Sequence, residues 1–149
     1  ELQRERVDAL QLARDAADTV DPRVVVELPP VALDVLADRA ALLRVLVNLL
    51  DNAMRHARST VRLRVDADAG DVVFAVEDDG PGIAEPDLPQ LFDPLFRADR
   101  TRNSATGGAG LGLAIAQRLS HAHGGSVGAE NRPDGGAVFT LELPQRRER

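Results

Sequence analysis

LLRVLVNLLDNAMRHA, residues 42–57, decides the reading of this chain. On a helical wheel Leu42, Leu43, Leu46, Val47, Leu49, Leu50, Ala53 and Met54 form one broad face, and Arg44, Asn48, Asp51, Asn52, Arg55 and His56 form the other. The spacing predicts an amphipathic helix with a polar stripe. Asn48 and Asn52 lie one turn apart within it. Asparagine is a poor helix-interior residue, because its amide competes for backbone hydrogen bonds, so something other than helix stability placed two of them there. Taken alone, the stripe reads as an ordinary solvated face.

The downstream chain overturns that reading. DDGPGI at 78–83 follows the apolar run VVFAV at 72–76, LFDPLFRAD occupies 91–99, and GGAGLGLAIA at 107–116 opens another helical pattern. With NLLDNAMRHA at 48–57, these segments resemble the asparagine box, first glycine box, phenylalanine box and second glycine box of the catalytic and ATP-binding domain of sensor histidine kinases. That domain falls within the wider family shared by type II topoisomerases, heat-shock chaperones and mismatch-repair ATPases. One such segment would be weak; four in order are specific.

The resemblance covers nearly the whole chain and implies a Bergerat-type ATP-binding fold with ATP and Mg²⁺ as ligands. It further implies transfer of the γ-phosphoryl group to a histidine on a separate dimerisation domain, for relay to an Asp of a response regulator receiver domain. No histidine of this chain stands in an H-E-x-x-[ST]-P-like helical context, so the phosphoacceptor helices are expected before Glu1. The parent protein is expected to be a homodimer.

Residue by residue, the resemblance assigns adenine recognition to Asp78, whose carboxylate accepts from the adenine amino group where guanine presents a carbonyl. Gly80, Gly82 and Ile83 complete that turn, in which glycines allow backbone to approach a planar ligand. A plain Asp-Gly turn is the competing reading of the turn alone. Asn52 takes the metal role, its amide oxygen suiting a hard cation, and Asn48 lines the same site. ATP-hydrolysing members carry Glu at the position of Asn48. An amide is no base at neutral pH, which disfavours transfer to water and favours transfer to a protein group.

Arg55 and His56 extend the stripe by a further turn and are expected to contact phosphate. Arg97 follows Phe96, and its guanidinium suits the charge developing at the γ-phosphate; Arg100 and Arg102 are weaker candidates. Asn48 and Arg97 are thus the catalytic assignments. Gly108, Gly110, Leu111, Gly112 and Leu113 run into a helix, where backbone N–H groups and the helix dipole favour an anion. Phe92 and Phe96 read either as lid or donor-helix anchors or, for Phe92 equally, as core. Gly135 and Gly136 resemble a final glycine motif without its common Ser or Thr and are given a structural hairpin role.

Bulk properties exclude several classes. The 149 residues suffice for one compact domain, 1–149, with residues 1–6 as linker and 144–149 as a polar tail. A net charge of -6 and pI near 5.0 argue against nucleic acid as a main partner. The chain contains no Lys, which excludes the P-loop and the eukaryotic-type protein kinase, since both need a phosphate-binding lysine. It contains no Cys, consistent with a reducing compartment. No apolar run is long enough to cross a bilayer. The first residue is not Met, and the expectation is a cytoplasmic piece of a membrane-bound sensor.

In order, residues 1–18 predict a helix, 23–28 and 32–36 strands, and Asp38 the N-cap of the central helix. Residues 60–66 and 72–76 predict two antiparallel strands, the second central and delivering Asp78 to a loop at the sheet edge. Residues 85–93 predict a helical turn, 97–107 a mobile connection, and 111–123 a helix whose His121 and His123 complement its dipole. Residues 126–130 and 138–143 predict a closing hairpin. Together these give an α/β, two-layer α+β sandwich: a mixed, largely antiparallel sheet with helices on one face. The competing functions are an anti-sigma-factor-type serine kinase, a non-catalytic ATP-gated interaction module and a self-sufficient ATPase.

Overall fold

The computed structural model describes residues 1–94, 96 and 111–145. The chain begins with β1 (Glu5–Asp8), which pairs antiparallel with β3 (Asp34–Ala37), Val7 opposite Val35. The helix expected from residue 1 therefore starts only at α1 (Ala9–Val20). Asp8 is the reason: its carboxylate accepts the N–H groups of Leu10 at 3.0 Å and Gln11 at 3.1 Å, making it a cap rather than a helix-interior residue.

The strand expected at 23–28 contracts to β2 (Val25–Glu27), because Arg23 is held in a local turn. Its backbone N–H donates to Asp21 Oδ1 at 2.8 Å and its guanidinium to Oδ2 at 2.7 Å. The strand expected at 32–36 is displaced to 34–37, where its register with β1 fixes it.

Helix α2 (Arg39–His56) begins on Asp38, as expected, the carboxylate accepting from Ala41 N at 3.1 Å. Leu42, Val45, Leu46, Leu49, Leu50 and Ala53 are fully buried. Each large side chain contributes about 1.5–3 kcal/mol of burial, so this face fixes the helix on the sheet.

β4 (Val61–Asp68), β5 (Asp71–Asp78), β6 (Ser126–Asn131) and β7 (Ala137–Pro144) join β2 in a five-stranded sheet of order β2-β4-β5-β7-β6. Among the described residues only the β2-β4 pair is parallel. The mixed, largely antiparallel sheet expected from the sequence is the one observed. Buried residues alternate along each strand, and Val65, Phe74, Leu141 and Val127 make one continuous cross-strand row. α1, α2 and α3 (Gly112–Ala122) lie against this sheet, which leaves charge to the opposite face. There Arg64 bridges Glu27 at 3.4 Å and Glu77 at 3.1 Å.

Asp78 is not at the sheet edge. It is the last residue of the central strand, paired with Val61 and continuing the core-facing row of Val72, Phe74 and Val76. A 3-10 turn at Glu85–Gln90 follows, close to the expected 85–93. β7 runs to Pro144, opposite Asp71, where the polar tail was expected to begin.

The expected histidine pair at the end of α3 also divides. His121 is exposed, but His123 is 5% exposed and joins two helices. Its Nδ1 lies 2.8 Å from the Leu119 carbonyl and its Nε2 accepts the Asp38 N–H at 3.0 Å. These two bonds make His123 a staple between the end of α3 and the start of α2. Among the described residues no helix is long and apolar enough to cross a membrane.

Candidate functional site

Three elements converge on the second half of α2. The Asn48 side-chain nitrogen donates to the carbonyl of Gly112, the first residue of α3, at 3.0 Å. This orients the amide and leaves Oδ1 as an acceptor. One turn on, Asn52 is 8% exposed, and its amide has no hydrogen-bond partner among the described residues. Its amide atoms are not sealed in the core, so their hydrogen-bonding capacity is open to a ligand. Arg55 and His56 lie exposed in the last turn.

The start of α3 is the second element. α1 and α2 begin on capping carboxylates, whereas α3 begins on Leu111, which offers no side-chain cap. Among the described residues no side chain caps its first-turn N–H groups, and these with the helix dipole suit an anion. Leu111 is exposed and Leu113 packs partly against the core.

The third element is the turn after β5. Asp78 is 2% exposed, with Oδ1 accepting the Gly80 N–H at 2.8 Å. Among the described residues the second carboxylate oxygen receives no hydrogen bond. That oxygen is not sealed from solvent, so a carboxylate standing in a core-facing row keeps one acceptor open to a ligand. Gly80 brings the turn against α2: a Cβ there would lie 2.1 Å from the His56 carbonyl oxygen. Gly82 stands at φ +83, and Ile83 packs partly against the core.

Asp79 locks this turn to the connection between α2 and β4. Its Oδ1 accepts the N–H groups of Arg58 at 2.8 Å, Ser59 at 3.0 Å and Thr60 at 3.2 Å, while Oδ2 accepts the Ser59 hydroxyl at 2.6 Å. The Ser59 hydroxyl foremost, and then these backbone donors, hold the Asp79 carboxyl well below the usual carboxylate range. An amide stripe, an uncapped helix start and a buried carboxylate thus share one region, with donors for phosphate and an acceptor for a base amino group.

The family model described as histidine kinase-, DNA gyrase B-, and HSP90-like ATPase matches residues 37–147. The chain belongs to this family. Signal transduction histidine-protein kinase AfsQ2 of Streptomyces coelicolor is 48% identical over 101 residues, covering 68% of this chain and 19% of that protein. Sensor-like histidine kinase SenX3 of Mycobacterium tuberculosis is 37% identical over 139 residues, covering 92% of this chain and 34% of that protein. The chain therefore spans a fifth to a third of the length of these curated relatives. Among solved structures, full-length ShkA in complex with AMPPNP superposes with a TM-score of 0.83 at 34% identity, over 99% of this chain and 32% of that one. The mycobacterial sensor histidine kinase MprB gives 0.81 at 26%, over 98% and 100% of the two chains. The fold and type of the domain are those of sensor histidine kinase catalytic domains.

Within this family fold the structure brings Asn48, Asn52, Asp78, Gly80, Leu111 and Gly112 to one region. Arg97, Gly108 and Gly110, with Arg100, Arg102 and the connection at 97–107, lie outside the described residues. Phe92 meets Phe139 of β7 edge to face, with centroids 6.1 Å apart, which is core packing. The hairpin role given to Gly136 extends further. It stands at φ +90, and a Cβ would lie 1.9 Å from the Asp78 carbonyl oxygen, so it lets the β6-β7 hairpin close on the turn. Sequence reasoning passed over Asp79, Asn131 and Arg132. The second Asp of DDGPGI was the available signal for Asp79; the other two act across long sequence separations.

Proposed function

We propose that this domain binds ATP with Mg²⁺ and transfers the γ-phosphoryl group to a histidine on a separate dimerising helical domain of its parent protein. The phosphoryl group then passes to an Asp of a response regulator. The observation supporting this reading most is Asp78, a carboxylate 2% exposed at the end of a row of core residues, with one oxygen held by Gly80 N and the other left for a donor. Such an acceptor suits the amino group of adenine. Its turn, with Gly82 and Ile83, forms the base end of the site, and the α3 N-terminus, from Leu111 to Leu113, forms the phosphate end.

Asn52 would hold Mg²⁺, a hard cation that takes oxygen ligands, and Asn48 would line the same site. When bound, the ion supplies positive charge to the triphosphate oxygens. Arg55 and His56 would contact phosphate from the last turn of α2, and Arg97, with the amides of Gly108 and Gly110, the γ-phosphate end. In the transfer an acceptor imidazole nitrogen forms a bond to phosphorus as the bond to the ADP oxygen breaks. No proton need leave water, so the lack of a base at Asn48 costs this reaction nothing. The protein contributes positioning and charge.

The parent is proposed to be a homodimeric sensor with this domain on the cytoplasmic side of the membrane. The test is to offer the domain its parent's phosphoacceptor helices with γ-labelled ATP and Mg²⁺. Acid-labile, base-stable label on those helices is expected. Acid-stable label on another protein would mean a serine kinase, and nucleotide binding without transfer would mean an ATP-gated interaction module.

A further inference from the structure

We infer that Asn131 is the positioning residue of the Asp78–Ile83 turn, setting affinity for the adenine end of the nucleotide without touching it. The inference rests on the nucleotide-site reading above. Asn131 ends β6, the sheet's edge strand, and its backbone pairs with Ala137. Its side chain reaches back across 48 positions: Oδ1 accepts the Ile83 N–H at 2.7 Å, and Nδ2 donates to the Ile83 carbonyl at 2.8 Å. One planar amide thereby satisfies both main-chain groups of a single residue, as a neighbouring strand would. An ionised carboxylate has no donor and an apolar side chain has neither group, while a hydroxyl offers donor and acceptor from one atom and not from the two separate atoms this pairing uses.

The next residue holds the other end of the turn, the Arg132 guanidinium donating to the Asp78 carbonyl at 3.0 Å. Between them Gly82 packs on the Asn131 amide at positive φ, where a Cβ would lie 2.8 Å from Oδ1. The first and last residues of the turn are therefore bound to consecutive residues of one hairpin, while Asp79 binds its middle to the opposite side. Glycine-rich turns are otherwise mobile, and ordering them on binding lowers affinity. Asn131 removes that cost in advance, and its effect falls on the base end of the site rather than the phosphate end.

The experiment compares wild type with Asn131→Asp and Asn131→Ala, titrating ATP and, separately, inorganic triphosphate, with Mg²⁺ throughout. ATP affinity is expected to fall by roughly ten- to a hundredfold in both variants while triphosphate affinity is unchanged. Equal losses for the two ligands, or no loss of either, would overturn the assignment. Hydrogen exchange of the Ile83 amide in nucleotide-free wild type needs no variant to fold. Protection is expected, and exchange at the rate of an open loop would overturn the clamp. Wild type that binds no ATP would instead defeat the nucleotide-site reading, leaving the Ile83 measurement to stand by itself.

Discussion

The Asn48 side-chain nitrogen donates to the Gly112 carbonyl at 3.0 Å, joining the helix of the asparagine stripe to the first residue of the helix that follows the second glycine segment. The two residues are 64 positions apart. The bond fixes which face of the amide meets the site and sets the start of α3 against α2.

Asp78→Asn keeps the size of the side chain but replaces an acceptor oxygen and its charge. A charge-assisted hydrogen bond is worth about 1.5–3 kcal/mol, which converts to a loss of roughly ten- to a hundredfold in ATP affinity. Calorimetric titration checks this, and an unchanged dissociation constant would remove Asp78 from the site.

Asn52→Ala deletes an amide that has no hydrogen-bond partner among the described residues. The fold loses little by it, so the melting temperature of the free domain should stay close to that of wild type. Nucleotide affinity should fall more with Mg²⁺ present than with the metal chelated. Equal losses under the two conditions would refute a metal role.

Asp79 makes stability depend on acid pH. Its folded-state pKa is depressed, chiefly by the Ser59 hydroxyl, so the ionised form is the one the fold favours. The contribution is fully present above the unfolded value, about 3.9, and is lost as pH falls from there through the depressed folded value. The stability gap between wild type and Asp79→Ala should therefore be constant from neutrality to about pH 5 and shrink below about pH 4. Urea unfolding across that range checks the prediction; a gap independent of pH would contradict it.

His123→Ala leaves the Asp38 N–H and the Leu119 carbonyl without their ring partner. A donor so orphaned costs about 1–3 kcal/mol, and the urea midpoint should fall accordingly. Because His123 bonds Asp38, at the start of α2, while Asn52 stands near the other end of that helix, ATP affinity of the folded variant should be preserved.

What could be read from the sequence was local or periodic. Helix α2 announced itself through its 3.6-residue stripe and through Asp38, and β4 through the alternation of Val61, Leu63 and Val65. β1 was hidden because only Val7 of its four residues is buried, and its partner β3 lies beyond a whole helix. Asp78 was misplaced at an edge because VVFAV is apolar on both faces, which conceals the two-residue period that carries Asp78 into the core row. Asn131 binds Ile83 at a separation of 48 residues and His123 binds Asp38 at 85. No pattern within either segment points to the other, so such pairs become visible only once the sheet brings them together.

The most direct test of the central claim follows the γ-phosphoryl group in a single turnover, with the domain in excess over labelled ATP and Mg²⁺, before and after its phosphoacceptor helices are added. Without the helices the label should stay on ATP; with them it should move to acid-labile phosphohistidine, little appearing as free phosphate. Rapid release of free phosphate from the domain alone would contradict the account and make this chain an ATPase.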